Sequence, residues 1–596
     1  MREVRIKKYY LHVFSVGIAD YFRYWEVDEV KKKSFLKTTL TSVIIVVLVI
    51  FAASEANAQI EEKVPVQAVP ATEYSEAYKA YLDGEIEVTE DSGVGIAPFS
   101  VPGKILQPSG ALPNSYMSNA TGIRNQGSNN SCWAFSGIGT LEAFLANDEK
   151  GLQDLSEQHL AWWATAFYND DNGTGWLNRS LTPGGYSMMS AGYFASWQGP
   201  KLESDLPYQG STYPAGMKDY DNVFNVTGIQ YVNNDITSIK TAIKNYGAVA
   251  TSYNNGSGYS NGRICYYSDE EVTKFSGHAI TVIGWDDNYS VDKFEEGKRP
   301  PADGAWLAKN SWGSYVGDNG YIWISYYDLY AFNTDIWGEN LAITSVRTAN
   351  PYDKIYQNEN YGSTYYTYMA DDNGENLECV TFANVFDFDE EHKYLDSVIF
   401  QSLNTNSDYA AYYIPVENGT PVTDKSQWSY LGGGKIDSAG YIKVETKGTV
   451  IPSGVGAIGI EIDGSAIHDY ASIGVDEWLT NSRGEFIFKP DPNRGDSFVI
   501  ANDSAYDLLD VYANNNDDIG GTLVIKAITT TNIIGDVDGD GESTVVDALM
   551  VLRKSVNLET FNNEQLINGD VNYDGNIDSE DALIILRKSV GFFSEY

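Results

Sequence analysis

The sequence predicts a multidomain chain with an α+β domain, then a β-sandwich, then a small all-α module built on a repeat. Three observations predict this order. The chain has 596 residues, too many for one hydrophobic core. Near position 350 the composition shifts from mixed helical and strand patterning to short alternating runs rich in Tyr, Thr, Asn and Gly. From Ile533 onward one acidic pattern occurs twice.

Composition narrows the function classes. The net charge is -42. The segment 1–58 carries nine Lys/Arg against six Asp/Glu, so the acidity lies in the rest of the chain. Such a surface repels nucleic acid and anionic lipid and attracts divalent cations. Only Cys132, Cys265 and Cys379 are present, far apart and without a CxxC pair. A zinc-thiolate centre and a disulfide framework are both excluded as organising devices. Cys265 and Cys379 have no motif around them and read as structural.

Residues 1–58 read as a signal region. Lys31, Lys32, Lys33 and Lys37 precede an apolar stretch from Val43 to Ala53, and Ala56-Asn57-Ala58 supplies small residues for cleavage. The apolar core is shorter than the roughly 18 residues of a spanning helix. A secreted or cell-surface location follows, with an uncleaved anchor as the alternative. Residues 59–112 are Pro-rich and acidic, with a short helical pattern around Tyr74 to Leu82, and read as a prosegment or linker.

Residues 113–348 form the predicted α+β domain. Ser131 to Ala146 has helical periodicity, and Trp306 to Ser325 alternates as strands do. Cys132 opens the helical pattern, where a helix N-terminus and a nearby imidazolium would lower a thiol pKa. Gln126 lies shortly upstream, beyond a turn, and can offer its amide to an oxyanion near the sulfur. Of the five histidines, His278 opens a buried-looking strand, at a separation from Cys132 that thiol-imidazole enzymes use. Asn310, further on, can hold one imidazole nitrogen and fix its tautomer. Alone, Cys132 would read as an inert core thiol and His278 as a structural histidine.

The combination reads differently. Gln126-x5-Cys132-Trp-Ala-Phe, Gly277-His278-Ala279 and Asn310-Ser-Trp312-Gly313, with Leu155-Ser-Glu-Gln158 and Gly184-Gly185-Tyr186, resemble the papain family (C1) of cysteine peptidases over nearly all of this segment. The resemblance implies that Cys132 is the nucleophile, His278 the general base and then acid, and Asn310 the orienting residue. It implies that Gln126 and the Cys132 amide form the oxyanion hole. Gly184 and Gly185 would pair with the substrate backbone, and Trp312 would shield the His-Asn bond. Two departures stand out. Asn129-Asn130-Ser131-Cys132 lacks the usual disulfide cysteine, and a charged insertion from Asp287 to Pro301 lengthens the His-Asn spacing. The long helical prosegment motif of plant and animal members is also missing.

Residues 349–529 carry short alternating runs at Leu395–Leu403, Ala411–Val416, Tyr441–Val444, Ala457–Ile462 and Thr522–Ile528, the pattern of a β-sandwich. The segment Tyr352-Asp-Lys-Ile-Tyr-Gln357 with Tyr361-Gly362 is similar to the lectin-like β domain that follows the peptidase in some bacterial cysteine peptidases. Exposed aromatics there would stack on carbohydrate; the alternative is a structural spacer.

Residues 530–596 hold the repeat. Asp536-Val-Asp538-Gly-Asp540-Gly541 and Asp570-Val-Asn572-Tyr-Asp574-Gly575 each open a twelve-residue loop with oxygen ligands at its first, third and fifth positions. Glu542 and Asn576 offer carbonyls, Thr544 and Asp578 occupy the ninth position, and Asp547 and Asp581 close the loops. Hard oxygen ligands at this spacing select Ca2+. A helical pattern follows each loop, giving two loop-helix halves. The segment resembles a dockerin, which implies a cohesin partner on a scaffolding protein, as in cellulosome-type assemblies. Val545-Val546 in one repeat correspond to Ser579-Glu580 in the other, which argues against symmetric dual-mode binding. The function expected is a secreted cysteine endopeptidase displayed on a scaffold, with polypeptide as substrate. The alternative is a catalytically silent protein- or carbohydrate-binding module on the same scaffold.

Overall fold

A run of apolar and small residues from Cys132 has no polar stripe, so a helix there must be covered on all sides. The helix Cys132–Asn147 is indeed buried along nearly its whole length. The computed structural model describes residues 65–590 except 72, 149, 166–183, 214–216, 218–220, 257–261, 351, 360–361, 363, 372, 468–469, 477–478, 481–485, 489–491, 514–520, 532, 541 and 573. The signal region, His12, His468 and Tyr361 lie outside the described residues. Among the described residues no helix is long and apolar enough to cross a membrane.

The Cys132 helix packs with the helices Glu157–Trp163 and Ser187–Ala195 on one side and an antiparallel sheet on the other. Ser156 caps the second helix by accepting from the His159 amide. The sheet runs in the order Phe224–Tyr231, Leu341–Thr348, Val249–Asn254, Gly277–Asp286, Ala305–Lys309, Tyr321–Ser325. The strand Gly277–Asp286 is buried on both faces. Ser136 Oγ in the helix donates to the Ile280 carbonyl at 2.6 Å, and Thr281 Oγ1 donates back to the Ser136 carbonyl at 3.2 Å. These bonds clip the helix to the strand that opens with His278.

The β domain is a sandwich, as its alternating runs predict. Tyr394–Ser402, Gly440–Val450, Ile525–Thr530 and Asp353–Tyr356 form one sheet, facing a second built on Cys379–Phe388, Asp408–Glu417, Gly454–Asp463 and Ser497–Ala501. Val380, Phe382, Val398, Phe400, Ile460 and Ile525 fill the space between. A third sheet of four strands runs Val66–Pro70, Tyr365–Asp371, Ser472–Asp476, Thr522–Leu523. Its outer strand comes from the segment N-terminal to the α+β domain. The same segment forms the helix Glu76–Leu82, capped by Ser75 and packed through buried Tyr78 against the α+β core.

The two large domains are joined by more than a linker. The pairing of Gly440 with Gln230 continues one sheet into the other. Gln357 Nε2 donates to the Ser196 carbonyl at 3.2 Å, while its Oε1 accepts from Lys526 at 2.7 Å. Arg347 reaches Asp353 at 2.6 Å and Asp396 at 3.0 Å, with its guanidinium 4.8 Å from the Trp197 ring. Asp353 and Gln357, from the segment read above as similar to a lectin-like β domain, therefore also serve the domain interface. Among the described residues of the β domain, Tyr430 is the aromatic side chain that stands exposed.

The C-terminal module has helices at Val545–Ser555, Asn563–Gly569 and Ser579–Ser589, one more than the two loop-helix halves expected. The extra helix carries a capping box between Asn562 and Gln565, a signal present in the sequence. Val537, Val551, Phe561 and Ile585 make a small core.

Arg347 and its two carboxylates supply a test of the domain interface. Burial pushes Asp353 up to about 6 even with Arg347 beside it. Arg347→Met leaves both carboxylates without their cation, and unfolding free energy should fall by about 3–5 kcal/mol. Urea unfolding followed by tryptophan fluorescence measures it; a loss under about 1 kcal/mol would contradict the role given to this cluster.

Candidate active site

Cys132 lies at the first turn of its helix, where backbone amides point outward. Its Sγ accepts from the Ala279 amide at 3.4 Å, one residue beyond His278. His278 Nε2 lies 2.7 Å from Asn310 Oδ1. An amide oxygen can only accept, so that nitrogen carries the proton and the other ring nitrogen is the free base. Trp312 stacks on the imidazole at 4.2 Å, and Tyr253 meets the ring edge-on at 5.8 Å.

Asn310 is held from below. The adjacent Lys309 ammonium donates to Thr121 Oγ1 at 2.6 Å and pairs with Glu142 at 3.4 Å, and both charged groups are almost fully buried. Glu142 belongs to the Cys132 helix. The ion pair thus ties the strand that presents Asn310 to the helix that presents the thiol. Burial makes breaking this pair costly, which favours a fixed geometry.

Gln126 is oriented by a residue to which the sequence assigned no role. Ser311 Oγ donates to Gln126 Oε1 at 2.6 Å, which leaves Nε2 as the donor side of the amide. Nε2 donates to the Asn129 carbonyl at 2.7 Å and retains a second N–H. Ser311 N donates to Asn310 Oδ1 at 2.8 Å, so one serine organises both amides. Its position inside Asn-Ser-Trp was the available signal. Tyr208 also braces this loop, donating to the Gln126 carbonyl at 2.9 Å.

The cleft is filled by the chain itself. Residues 93–95 run as an extended strand between Gly185 and Gly277. Gly93 N donates to the Gly277 carbonyl at 2.9 Å, Gly185 N to the Gly93 carbonyl at 3.1 Å, and Gly95 N to the Gly185 carbonyl at 3.4 Å. Gly93 lies so close over the thiol that a Cβ there would fall 2.2 Å from Cys132 Sγ. A Cβ at Gly185 would strike the Trp133 indole at 2.4 Å, so the flat floor under the strand requires glycine. Val94 is buried in the same cleft as Trp133, Ala250, Ala279 and Leu341. Gly184 backs the strand with φ +72°.

Electrostatics in this covered state differ from the low thiol pKa expected of the sequence. Burial pushes the Cys132 thiol up to about 12, against the lowering effect of the Ala279, Trp133 and Cys132 amides. Burial also pushes His278 down to about 4, although the Asn310 bond favours its charged form. Both shifts favour the uncharged forms under the covering strand. The physical reason is loss of water, which penalises both charged forms.

The two acidic loops are set apart from this cleft. Asp536, Asp538 and Asp540 bring carboxylate oxygens within 4.8 Å of one another, the donor chemistry of a hard divalent cation. Asp547 is fully buried and accepts from the amides of Val537, Asp538 and Thr544. In the second loop Asp581 accepts from Val571, Asn572 and Asp578, and Asp570 from Asp574 and Gly575. Burial is the main cause that pushes Asp570 and Asp581 up to about 6, with neighbouring carboxylates adding to it. Thr544 and Asp578 cap the following helices. Glu542 and Asn576 donate their amides to Asp540 and Asp574 within the loops. On the outer faces Val545, Val546, Leu549 and Leu552 are exposed in one repeat, and Leu583 and Leu586 in the other. Cys265 is buried with its sulfur 3.1 Å from the Tyr289 hydroxyl, whereas Cys379 is exposed and so fills no core position.

Comparison with known proteins agrees with this geometry. Residues 114–333 match the papain family cysteine protease model, and residues 534–588 match the dockerin type I domain model. Digestive cysteine proteinase 3 of Homarus americanus is 31% identical over 212 residues, covering 34% of this chain and 58% of that protein. Cathepsin S of Bos taurus is 30% identical over 208 residues, covering 34% and 55%. The chain thus spans just over half the length of these relatives. The cysteine protease and lectin-like domains of Cwp84, a surface layer associated protein of Clostridium difficile, superpose with a TM-score of 0.67 at 33% identity, covering 79% of this chain and 99% of that one. A second structure of Cwp84, a variant after propeptide cleavage, gives a TM-score of 0.62 at 34% identity, covering 70% and 99%. The chain belongs to the papain family of cysteine proteases and carries a dockerin type I domain at its C-terminal end.

Proposed function

We propose that the chain is a secreted cysteine endopeptidase made as an autoinhibited precursor and held on a cohesin-bearing scaffold through its dockerin. The observation that carries the reading is the 2.7 Å bond between His278 and Asn310, beside the amide that Ala279 offers to Cys132 Sγ. Residues 59–112 act as the prosegment, because residues 93–95 occupy the groove that a substrate backbone would use.

Once that strand leaves, water re-enters and the burial penalty on both catalytic groups falls. His278 then takes the thiol proton, with Asn310 and Trp312 keeping the ring in place. The thiolate attacks the scissile carbonyl. The Cys132 amide and Gln126 Nε2 receive the developing oxyanion. His278 returns its proton to the leaving amine, and water hydrolyses the acyl-enzyme. Gly184 and Gly185 pair with the substrate backbone, which takes the place of the covering strand.

The dockerin is proposed to hold Ca2+ through Asp536, Asp538, Asp540 and Asp547 with the Glu542 carbonyl and Thr544, and through Asp570, Asn572, Asp574 and Asp581 with the Asn576 carbonyl and Asp578. A cation there neutralises clustered carboxylates and ties each loop to its helix. The apolar outer face at Val545, Val546 and Leu549 supports a protein partner, and a cohesin is the partner proposed. Unlike side chains at the matching positions of the second repeat support binding through one face.

Turnover of a peptide substrate tests the catalytic roles. Cys132→Ala should lose about 10⁶-fold in kcat. Gln126→Ala should lose about 10²–10³-fold with KM little changed. Full activity in Cys132→Ala would overturn the assignment.

Gly93→Leu tests the cover, because its side chain cannot share space with the Cys132 sulfur. In the uncut chain, iodoacetamide should label Cys132 at least about tenfold faster in this variant at neutral pH, as expected if burial holds the thiol protonated. Equal labelling rates would show that residues 93–95 do not protect the thiol.

Excess chelator on the chain freed of its prosegment should abolish cohesin binding while leaving hydrolysis of a small peptide nearly unchanged. Cohesin binding measured by calorimetry and turnover measured on the same sample separate the two modules. Retained cohesin binding would contradict the calcium-folding reading.

A further inference from the structure

The strand Val66–Pro70 belongs in sequence to the segment that covers the thiol, yet in space it belongs to the β domain. It pairs antiparallel with Tyr365–Asp371 in a continuous register from Val66 opposite Asp371 to Pro70 opposite Thr367. Val66 and Ala68, at 0% and 4% exposure, point into the β-domain core with Met369 and Val511. The helix Leu508–Ala513 packs against the strand as well. Three bonds sharpen the register. Gln67 Nε2 donates to the Asp371 carbonyl at 3.0 Å, Thr367 Oγ1 to the Val69 carbonyl at 3.0 Å, and Ala71 N to the Tyr366 carbonyl at 2.8 Å. Further along, Phe99 meets Tyr365 edge-on at 4.8 Å.

Removing this strand would uncover an unpaired sheet edge and open core space at two positions. Both consequences are unfavourable, the first through bare amides and carbonyls and the second through lost packing. The edge is thus built to accept an extended peptide with small apolar residues at alternate positions. Between the thiol cover and the α+β domain, the stretch from Gln107 to Ala111 is largely exposed and holds no helix or strand, so a cut there leaves the strand pairing untouched.

We propose that the edge of Tyr365–Asp371 is a peptide-binding site of the β domain, and that it keeps residues 65–107 attached to the protein after the chain is cut. The β domain therefore recognises a peptide strand of this chain. Release of the segment from the cleft and its loss from the molecule become separate events. While the strand stays seated, residues 93–95 remain at high local concentration and can re-enter the cleft. The inference rests on reading the segment as removable, but not on the chain being an active peptidase.

The test uses full-length chain carrying Cys132→Ala and a recognition site for an added sequence-specific protease inserted between Gln107 and Leu112. After complete cutting, gel filtration in native buffer should show the N-terminal fragment co-eluting with the body in equal amounts. Ala68→Asp places a charge in the core and should speed fragment dissociation by more than about a hundredfold. Gly93→Leu, which disturbs only the cleft, should leave the fragment bound. A synthetic peptide of residues 65–71 should rebind to body stripped of its fragment, and the same peptide with Ala68→Asp should not, which decides the matter even where the full-length variant misfolds. Separation of the unaltered fragment on the column, retention of the Ala68→Asp fragment, release by Gly93→Leu alone, or equal binding of the two peptides would each overturn the proposal. Because the protein tested cannot turn over, loss of the peptidase reading would be seen separately, in the activity of the unmutated thiol.

Discussion

The packing of the Cys132 helix against the strand Gly277–Asp286 is the constraint on which the rest depends. The helix is covered on every side, so its N-terminal turn has one position and one direction. Ser136 and Thr281 bind the two elements by reciprocal hydrogen bonds, and Glu142 with Lys309 extends the tie to the next strand. Thiol, imidazole and amide therefore come from three elements that cannot move independently. A site of this kind is preorganised: the cost of arranging the groups is met in folding and not during a reaction.

The same burial disfavours the charged forms of thiol and imidazole while the site is covered. A helix N-terminus and a row of amides favour a thiolate, yet the covering strand removes the water that a charged pair needs. Desolvation is the larger effect here, as the upward shift of Cys132 and the downward shift of His278 both record. Control by a covering strand needs no conformational change in the thiol or the imidazole themselves. It needs a backbone that can approach the sulfur closely, and Gly93 supplies that backbone. The covering strand is held at a distance, by pairing in the β domain and by Tyr78 in the α+β core. The β domain thereby becomes part of the covered chain's architecture, fused to the α+β domain through Arg347, Gln357 and a shared sheet.

Much of the architecture was legible in the sequence because it is written in local patterns. The helix from Cys132, the strands around Trp306 and Tyr321 and the alternating runs of the sandwich all carry their own periodicity. The short helix near Tyr74 to Leu82 was legible too, and Ser75 caps it as such residues do. Asn310-Ser-Trp312 marked Ser311 as part of the site but not its task, because it orients a side chain 185 positions away and no spacing rule carries that. The helix Asn563–Gly569 shows its capping box in the sequence, but it is too short and too polar to show an apolar stripe.

By itself the sequence determined which residue types stand in an order suited to thiol chemistry, and which oxygen donors repeat at the spacing of a calcium loop. Those are short-range facts, set by covalent neighbours and by the periods of helix and strand. Tertiary structure alone decided three other things. It placed Gly93 over the sulfur, gave Val66–Pro70 to the β domain, and brought Asp353 and Gln357 into the domain interface. Each depends on pairing between segments far apart in the chain. An edge strand accepts any partner whose small apolar residues fall on the right face, so the choice of partner is settled by which core space is left to fill.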